Sequence, residues 1–191
     1  MKKGLIVVIA IVAVIAIIGG MCISNYNSLV TAKETVANAE SNIDTYLQRR
    51  ADLIPNVVAS VKSFADHEKE VIDSVTSARA KLVNAGTLSE KAQANSELST
   101  ALQSLNVVVE NYPELKSDAT YIALMDELEG SENRISTARK DYNDAVKAYN
   151  NKVIKFPANI FASIFGFEKA DYFEADAGAE KAPDVGSLLG D

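Results

Sequence analysis

Few residues in this chain have the types and spacing that chemistry requires. Glu40, Glu68 and Glu132 each fall where a helical apolar stripe calls for a hydrophobic side chain. On antiparallel helices with a rise of about 1.5 Å per residue, all three lie about 15–23 Å from the same end. Three carboxylates at one level can hold a hard cation such as Ca²⁺ or Mg²⁺. They can equally pair with Arg50, Arg79 or Arg139, which also stand near stripe positions, and fix helix register as a buried ionic network. A modest helix rotation turns them to solvent instead. Because buried charge is seldom left unpaired, solvation and ion pairing rank ahead of metal binding.

His67-Glu68 is the first half of the zinc-binding helix motif H-E-x-x-H. The position four residues after His67 is Val71, and the chain has a single His. Di-iron sites in helical bundles need Glu-x-x-His pairs, which are missing. Cys22 sits in an apolar run away from His67, and there is no Ser-His-Asp arrangement or Gly-rich phosphate loop. The reading is of no catalytic residues, no metal ligands and no cofactor. Tyr142-Asn143 and Tyr149-Asn150, seven residues apart, share one helical face, and in an up-down bundle Tyr26-Asn27 lies near the second pair. Hydrogen bonds among these groups across helices would set register. The functional alternative is a polar recognition surface, and core packing of stripe-facing Tyr is the more common case.

The elements that must carry these residues are helices. Apolar residues recur at spacings of three and four. They include Leu29, Val36, Ile43 and Leu47; Val57, Val61, Ile72, Val75 and Leu82; Leu98, Leu102, Leu105 and Val109; and Tyr121, Leu128, Ile135, Tyr142, Val146 and Tyr149. Breaks are expected at Arg50–Pro55, where proline opens a helix more readily than it continues one, at Asn84–Thr87, where Thr87 or Ser89 can cap, and at Tyr112–Ser117. Short links make neighbours antiparallel. The fold class is all-α: an N-terminal transmembrane helix, then an elongated antiparallel bundle of four helices. A single long helix kinked at Pro55 gives three instead.

Gly4 to Ile23 carries no charge over 20 residues, about 30 Å of helix, which is the thickness of bilayer hydrocarbon. A cleaved signal peptide has a shorter apolar stretch and a small-x-small site, and Gly20-Met21-Cys22 is a poor one. Met21 also argues against lipid attachment at Cys22. Lys2 and Lys3 precede the span, whereas the first basic residue after it, Lys33, is followed by Glu34. The positive-inside rule puts the N-terminus in the cytoplasm and the domain outside. The expected organisation is a cytoplasmic end (1–3), a transmembrane helix (4–23), a helical domain (25–155), a Phe-rich membrane-proximal segment (156–173) and a disordered acidic tail (174–191). The segment Lys155–Phe167 either docks on the lipid surface or folds back to close the bundle base.

Composition agrees with a folded helical protein. Of 191 residues, 48% are hydrophobic and 24% charged, and only 9 Gly and 4 Pro interrupt them. Net charge is −7, and with Lys2 and Lys3 set aside 17 basic residues face 26 acidic ones, a balance of −9. Such a domain repels phosphate backbones, which excludes nucleic acid as a partner. The partners expected are the bilayer, through residues 4–23, and a protein.

The order and spacing of several short stretches resemble the LemA family of bacterial membrane proteins. They are Tyr26-Asn27 with Leu29-Val30, the run Arg49-Arg50-Ala51-Asp52-Leu53-Ile54-Pro55-Asn56, His67-Glu68, Ala78-Arg79, and Tyr112-Pro113-Glu114-Leu115-Lys116. Beyond these come Glu132-Asn133, Ala138-Arg139, Tyr142-Asn143, Tyr149-Asn150, and Phe156-Pro157 with Asn159. The resemblance implies an N-terminal transmembrane helix and an antiparallel bundle, and no established activity. Glu40 departs from the pattern, since many relatives have a bulky aromatic after the equivalent of Ala39. The function expected is a non-enzymatic interaction or scaffold role at the bacterial envelope, with a sensor or ligand-binding module as the alternative.

Overall fold

The structure, a computed structural model, describes residues 2–65 and 67–173. The expected acidic tail, 174–191, lies outside them. The helices are α1 (Lys2–Phe64), α2 (Lys69–Asn84), α3 (Leu88–Val109), the single turn α4 (Pro113–Lys116), α5 (Ala119–Ile154) and α6 (Ala158–Phe165). No strand occurs among the described residues. The protein is all-α, and its long helices α1, α2, α3 and α5 match the four expected in number. The boundary between the first two differs.

The expected reversal at Arg50–Pro55 does not occur. α1 runs through Pro55 to Phe64, and the chain turns between there and Lys69. Two features carry the helix past the proline. Leu47, Ala51, Ile54, Val57 and Val61 are all buried, so the apolar stripe continues at helical spacing across it. Pro55 also lacks the N–H that would donate to the carbonyl of Ala51 one turn earlier. Arg79 on α2 replaces that donor, its Nε lying 2.7 Å from the Ala51 oxygen.

Other helix ends follow their sequence signals. Thr87 caps α3: its hydroxyl accepts from the Glu90 N–H, and the Glu90 carboxylate accepts from the Thr87 and Gly86 N–H groups. Those backbone N–H donors hold the Glu90 carboxyl below the ordinary carboxylate range. Asp118 caps α5 by accepting from the Tyr121 N–H at 2.8 Å. α6 ends at Gly166, whose φ of 71° is left-handed, and the Phe167 N–H closes the turn on the Ala162 carbonyl.

The first helix begins in a stretch with no packing partner among the described residues. Residues 4–21 are all exposed, and an 18-residue window there has a mean hydropathy of 3.2. Soluble surfaces do not carry an apolar area of that extent, whereas a bilayer covers it.

The chain forms two compact units. In the first, residues up to 42 and 138–172, α1 and α5 run antiparallel: Lys152 Nζ donates to Ser28 Oγ at 2.9 Å. Its buried side chains from these helices include Leu29, Ala32, Val36, Tyr142, Val146 and Tyr149, with Ala162 from α6. In the second, residues 43–137 with Phe173, parts of α1 and α5 meet α2, α3 and α4. Its core includes Ile43, Ile54, Val75, Leu98, Leu105, Leu115 and Ile135.

If Arg79 stands in for the absent proline N–H, Arg79→Ala strands a buried carbonyl and lowers stability by about 1–3 kcal/mol. Pro55→Ala returns the helical donor, so the double variant recovers much of that loss. Urea unfolding of the four proteins of this cycle in detergent micelles reads the coupling. Equal losses in both backgrounds would show that Arg79 acts elsewhere.

Candidate functional site

In the second unit Glu132, Asn95 and Ser99 converge on Arg50. This side chain is buried, and its guanidinium joins three helices. Nη1 pairs with the Glu132 carboxylate of α5 at 2.5 Å and donates to the side-chain oxygen of Asn95 on α3. Nη2 donates to Ser99 Oγ at 3.0 Å, and Ser99 in turn donates to the Asn95 carbonyl one turn back. The Asn95 amide reaches the Glu132 carboxylate at 3.4 Å. Each member thus holds another in place. The network supplies the partners that a buried guanidinium and a buried amide need.

Beside it lies an open groove of about 590 Å³, walled by Arg50, Asn106, Tyr121, Asp126, Glu129 and Glu132 among others. Tyr121 donates to Asn106 Oδ1 at 3.0 Å, and burial pushes its hydroxyl pKa up. Asp126 and Glu129 give this wall an acidic excess. Arg49 adds an exposed pair with Glu127 on the same two helices, α1 and α5.

The three stripe glutamates go separate ways. Glu132 pairs with Arg50. Glu68 accepts from the Tyr112 hydroxyl at 2.8 Å, and that carboxylate raises the Tyr112 pKa. Glu40, half-buried in the first unit, lies near enough to Tyr142 for its charge to help raise the Tyr142 pKa. Among the described residues no three His, Cys, Asp or Glu side chains gather closely enough to hold a metal. Ion pairing, one of the expected readings, is seen among the described residues for Glu132, and its partner is Arg50. Arg79 serves the Ala51 carbonyl instead. Asn95 and Ser99 escaped the sequence reading. The signal for Asn95 was present: it fills the stripe position between Ala92 and Leu98, as the glutamates fill theirs.

In the first unit the Tyr-Asn residues find an unexpected partner. After Gly166 the chain runs back along α5 as an extended strap. Tyr149 donates to the Glu168 carbonyl at 2.8 Å and Tyr142 to the Asp171 carbonyl at 3.0 Å. The Asn150 amide makes two bonds of 2.9 Å to Ala170, one to its carbonyl and one from its N–H. The hydrogen bonds of Tyr142, Tyr149 and Asn150 therefore reach the backbone of a strap. A segment without ladder or helix partners must satisfy its own N–H and C=O groups, and these side chains do so. Tyr26 packs edge-on against Phe165 and Phe167, with ring centroids 4.9 and 5.9 Å apart. Part of the Phe-rich segment thus folds back on the bundle base.

An all-α chain with a bilayer-length apolar start and a polar pin between α1, α3 and α5 belongs with membrane-associated helical proteins. A family model described as the LemA family matches residues 39–186, and the chain belongs to that family. It is 31% identical to magnetosome protein MamQ 2 of Paramagnetospirillum magneticum, over 88% of this chain and 71% of that protein. It is 27% identical to magnetosome protein MamQ of Magnetospirillum gryphiswaldense over the same shares. It is 25% identical to protein LemA of Metamycoplasma hominis, over 78% of this chain and 68% of the other. The apolar helix and these relatives together give the chain a membrane location.

Removing the Glu132 charge leaves Arg50 buried beside neutral partners. Glu132→Gln should cost about 1–3 kcal/mol, below the full buried-pair range because the Glu132 side chain keeps 39% exposure. Pairing Arg50→Met with Glu132→Leu should restore stability toward the parent, measured by denaturant melts. A second expectation concerns alkali. Burial is the main cause that raises the Tyr142 and Tyr149 pKa values above the ordinary 10.0. A raised pKa means the folded state favours the protonated hydroxyl. The stability it contributes is intact below pH 10.0 and is lost as pH rises through the raised value. Tyrosinate absorbance should show these hydroxyls ionising late and together with strap release. Tyr149→Phe should weaken that alkaline dependence.

Proposed function

We propose that this chain is a membrane-anchored, non-enzymatic interaction or scaffold protein of the bacterial envelope. The observation that carries the reading is the unbroken course of α1. An apolar stretch of bilayer length continues, without a helix end, into the residues that pin α3 and α5. A bilayer-length apolar stretch that continues as helix into its domain ties that domain to the membrane, which suits tethering a partner protein. Membership of the LemA family supports the membrane setting. Uncleaved retention of 4–23 fits the same helix, because Gly19, Gly20 and Met21 lie inside it. Lys2 and Lys3 before the span favour a cytoplasmic N-terminus and an extracytoplasmic domain.

A second reading, a membrane-tethered sensor or ligand module, is favoured by one feature. The groove beside Arg50 has the volume of a small-molecule site and an acidic wall suited to a cationic ligand.

Photo-crosslinking in intact membranes separates the two. Probes at Val107 and Ile122, both exposed, should capture one discrete protein adduct. No adduct, combined with a melting shift on adding cationic metabolites or divalent ions, would transfer the assignment to the ligand module. A reporter fused to the C-terminus should be active only in its extracytoplasmic form, and the opposite result would invert the topology.

A further inference from the structure

We propose that α6 is a second membrane contact, lying in the headgroup layer of the bilayer that α1 spans. The surface is apolar and uncovered. Phe156 is 80% exposed, Ile164 69% and Ile160 49%, and Ile160 and Ile164 stand one turn apart on α6. Yet the helix is anchored: Ala162 is buried, and the rings of Phe165 and Phe167 pack on Tyr26. That anchor point fixes its depth. Tyr26 is three residues past Ile23, about 4.5 Å further along α1. The headgroup layer on each side of the hydrocarbon is about 5–8 Å thick. If residues 4–23 fill the hydrocarbon, the Tyr26–Phe165 contact lies within that layer. The neighbouring apolar residues are then where an interfacial helix buries its face, about 5–10 Å into the headgroup and acyl boundary.

Two observations favour lipid over a protein as the covering. A soluble partner has poor access to a face at headgroup level. The charges flanking α6 also cancel: Lys155 and Lys169 stand against Glu168 and Asp171. The remaining driving force is apolar burial, so docking should need no anionic lipid and should resist salt. The strap completes the arrangement. By holding residues 168–171 against α5, Tyr142, Tyr149 and Asn150 keep α6 from swinging away on its C-terminal side.

The inference rests on the membrane span and not on the interaction role proposed above. The chain has no Trp, so single tryptophans report cleanly. The protein carrying Ile164→Trp, Phe156→Trp, Ile15→Trp or Ala37→Trp is reconstituted into phosphatidylcholine vesicles containing lipid brominated either near the headgroup or, for Ile15→Trp, deep in the acyl chain. Ala37 is exposed on α1, about 21 Å beyond Ile23. At interfacial depth, Ile164→Trp and Phe156→Trp should lose about half or more of their emission to bromines near the headgroup, while Ala37→Trp should not. The loss should persist in about 1 M salt, where charges are screened within about 3 Å. Quenching at Ile15→Trp alone would overturn the docking and leave the anchor. Blue-shifted but unquenched emission at position 164 would assign the face to a second copy or another protein. Quenching abolished by salt would overturn the apolar basis. No quenching even at Ile15→Trp would overturn the anchor and the docking together.

Discussion

The carbonyl of Ala51 has no donor within its own helix, because the residue one turn later is Pro55. Continuing α1 past it leaves a buried oxygen that is costly without a donor, and Arg79 of α2 supplies one. Much follows from this one hydrogen bond. It lets α1 run from the apolar segment to Phe64. It joins α2 to α1 at the level where Arg50, the next residue back, joins α3 and α5. The stretch Arg49–Pro55 is thus a junction. Arg49 and Arg50 pair outward to α5 and α3, and Ala51 receives α2.

Much of this was legible in the sequence. The stripes named the core with few misses, since helical burial depends on spacing alone: Ile43, Val61, Val75, Leu98, Leu105, Ile135 and Val146 are all buried. The turn at Thr87 was legible because a capping box is a local signal. The apolar start of α1 was legible in the length and lack of charge of residues 4–23. Pro55 misled because its cost is local and its remedy distant. The arginine that rescues the helix lies 28 positions further on, and no local rule connects the two. The glutamates were legible as anomalies and illegible as partners. A polar residue in a stripe announces a need, but only the packed helices decide which group meets it. The strap was missed for a similar reason. Tyr149 and Asn150 announce hydrogen-bonding capacity, and a short extended segment of main chain carries no pattern that points back to them.

The two polar centres solve different problems. Around Arg50, charge is brought inside and must be neutralised, so the partners are specific and mutually dependent. Around Asn150 the bonds run between neutral side chains and main chain, and the requirement is for donors and acceptors at a fixed spacing. The first fixes which helices meet and in what register. The second holds a tail end of the domain in place beside the helix that leaves the membrane. Both are positioned by α1 and α5, whose antiparallel course brings Arg50 to Glu132 in one unit and Ser28 to Lys152 in the other.

Between Glu168 and Asp171 the strap is held through its main chain. Every hydrogen bond from Tyr142, Tyr149 and Asn150 ends on a backbone atom of Glu168, Ala170 or Asp171. The grip is therefore indifferent to the letters of the segment it holds. The side chains of Glu168 and Asp171 make none of these bonds, and at Ala170 proline is barred, for want of an N–H. Information about this part of the fold resides in the receiving helix, while the received segment is left open to acquire whatever side chains its surroundings come to require.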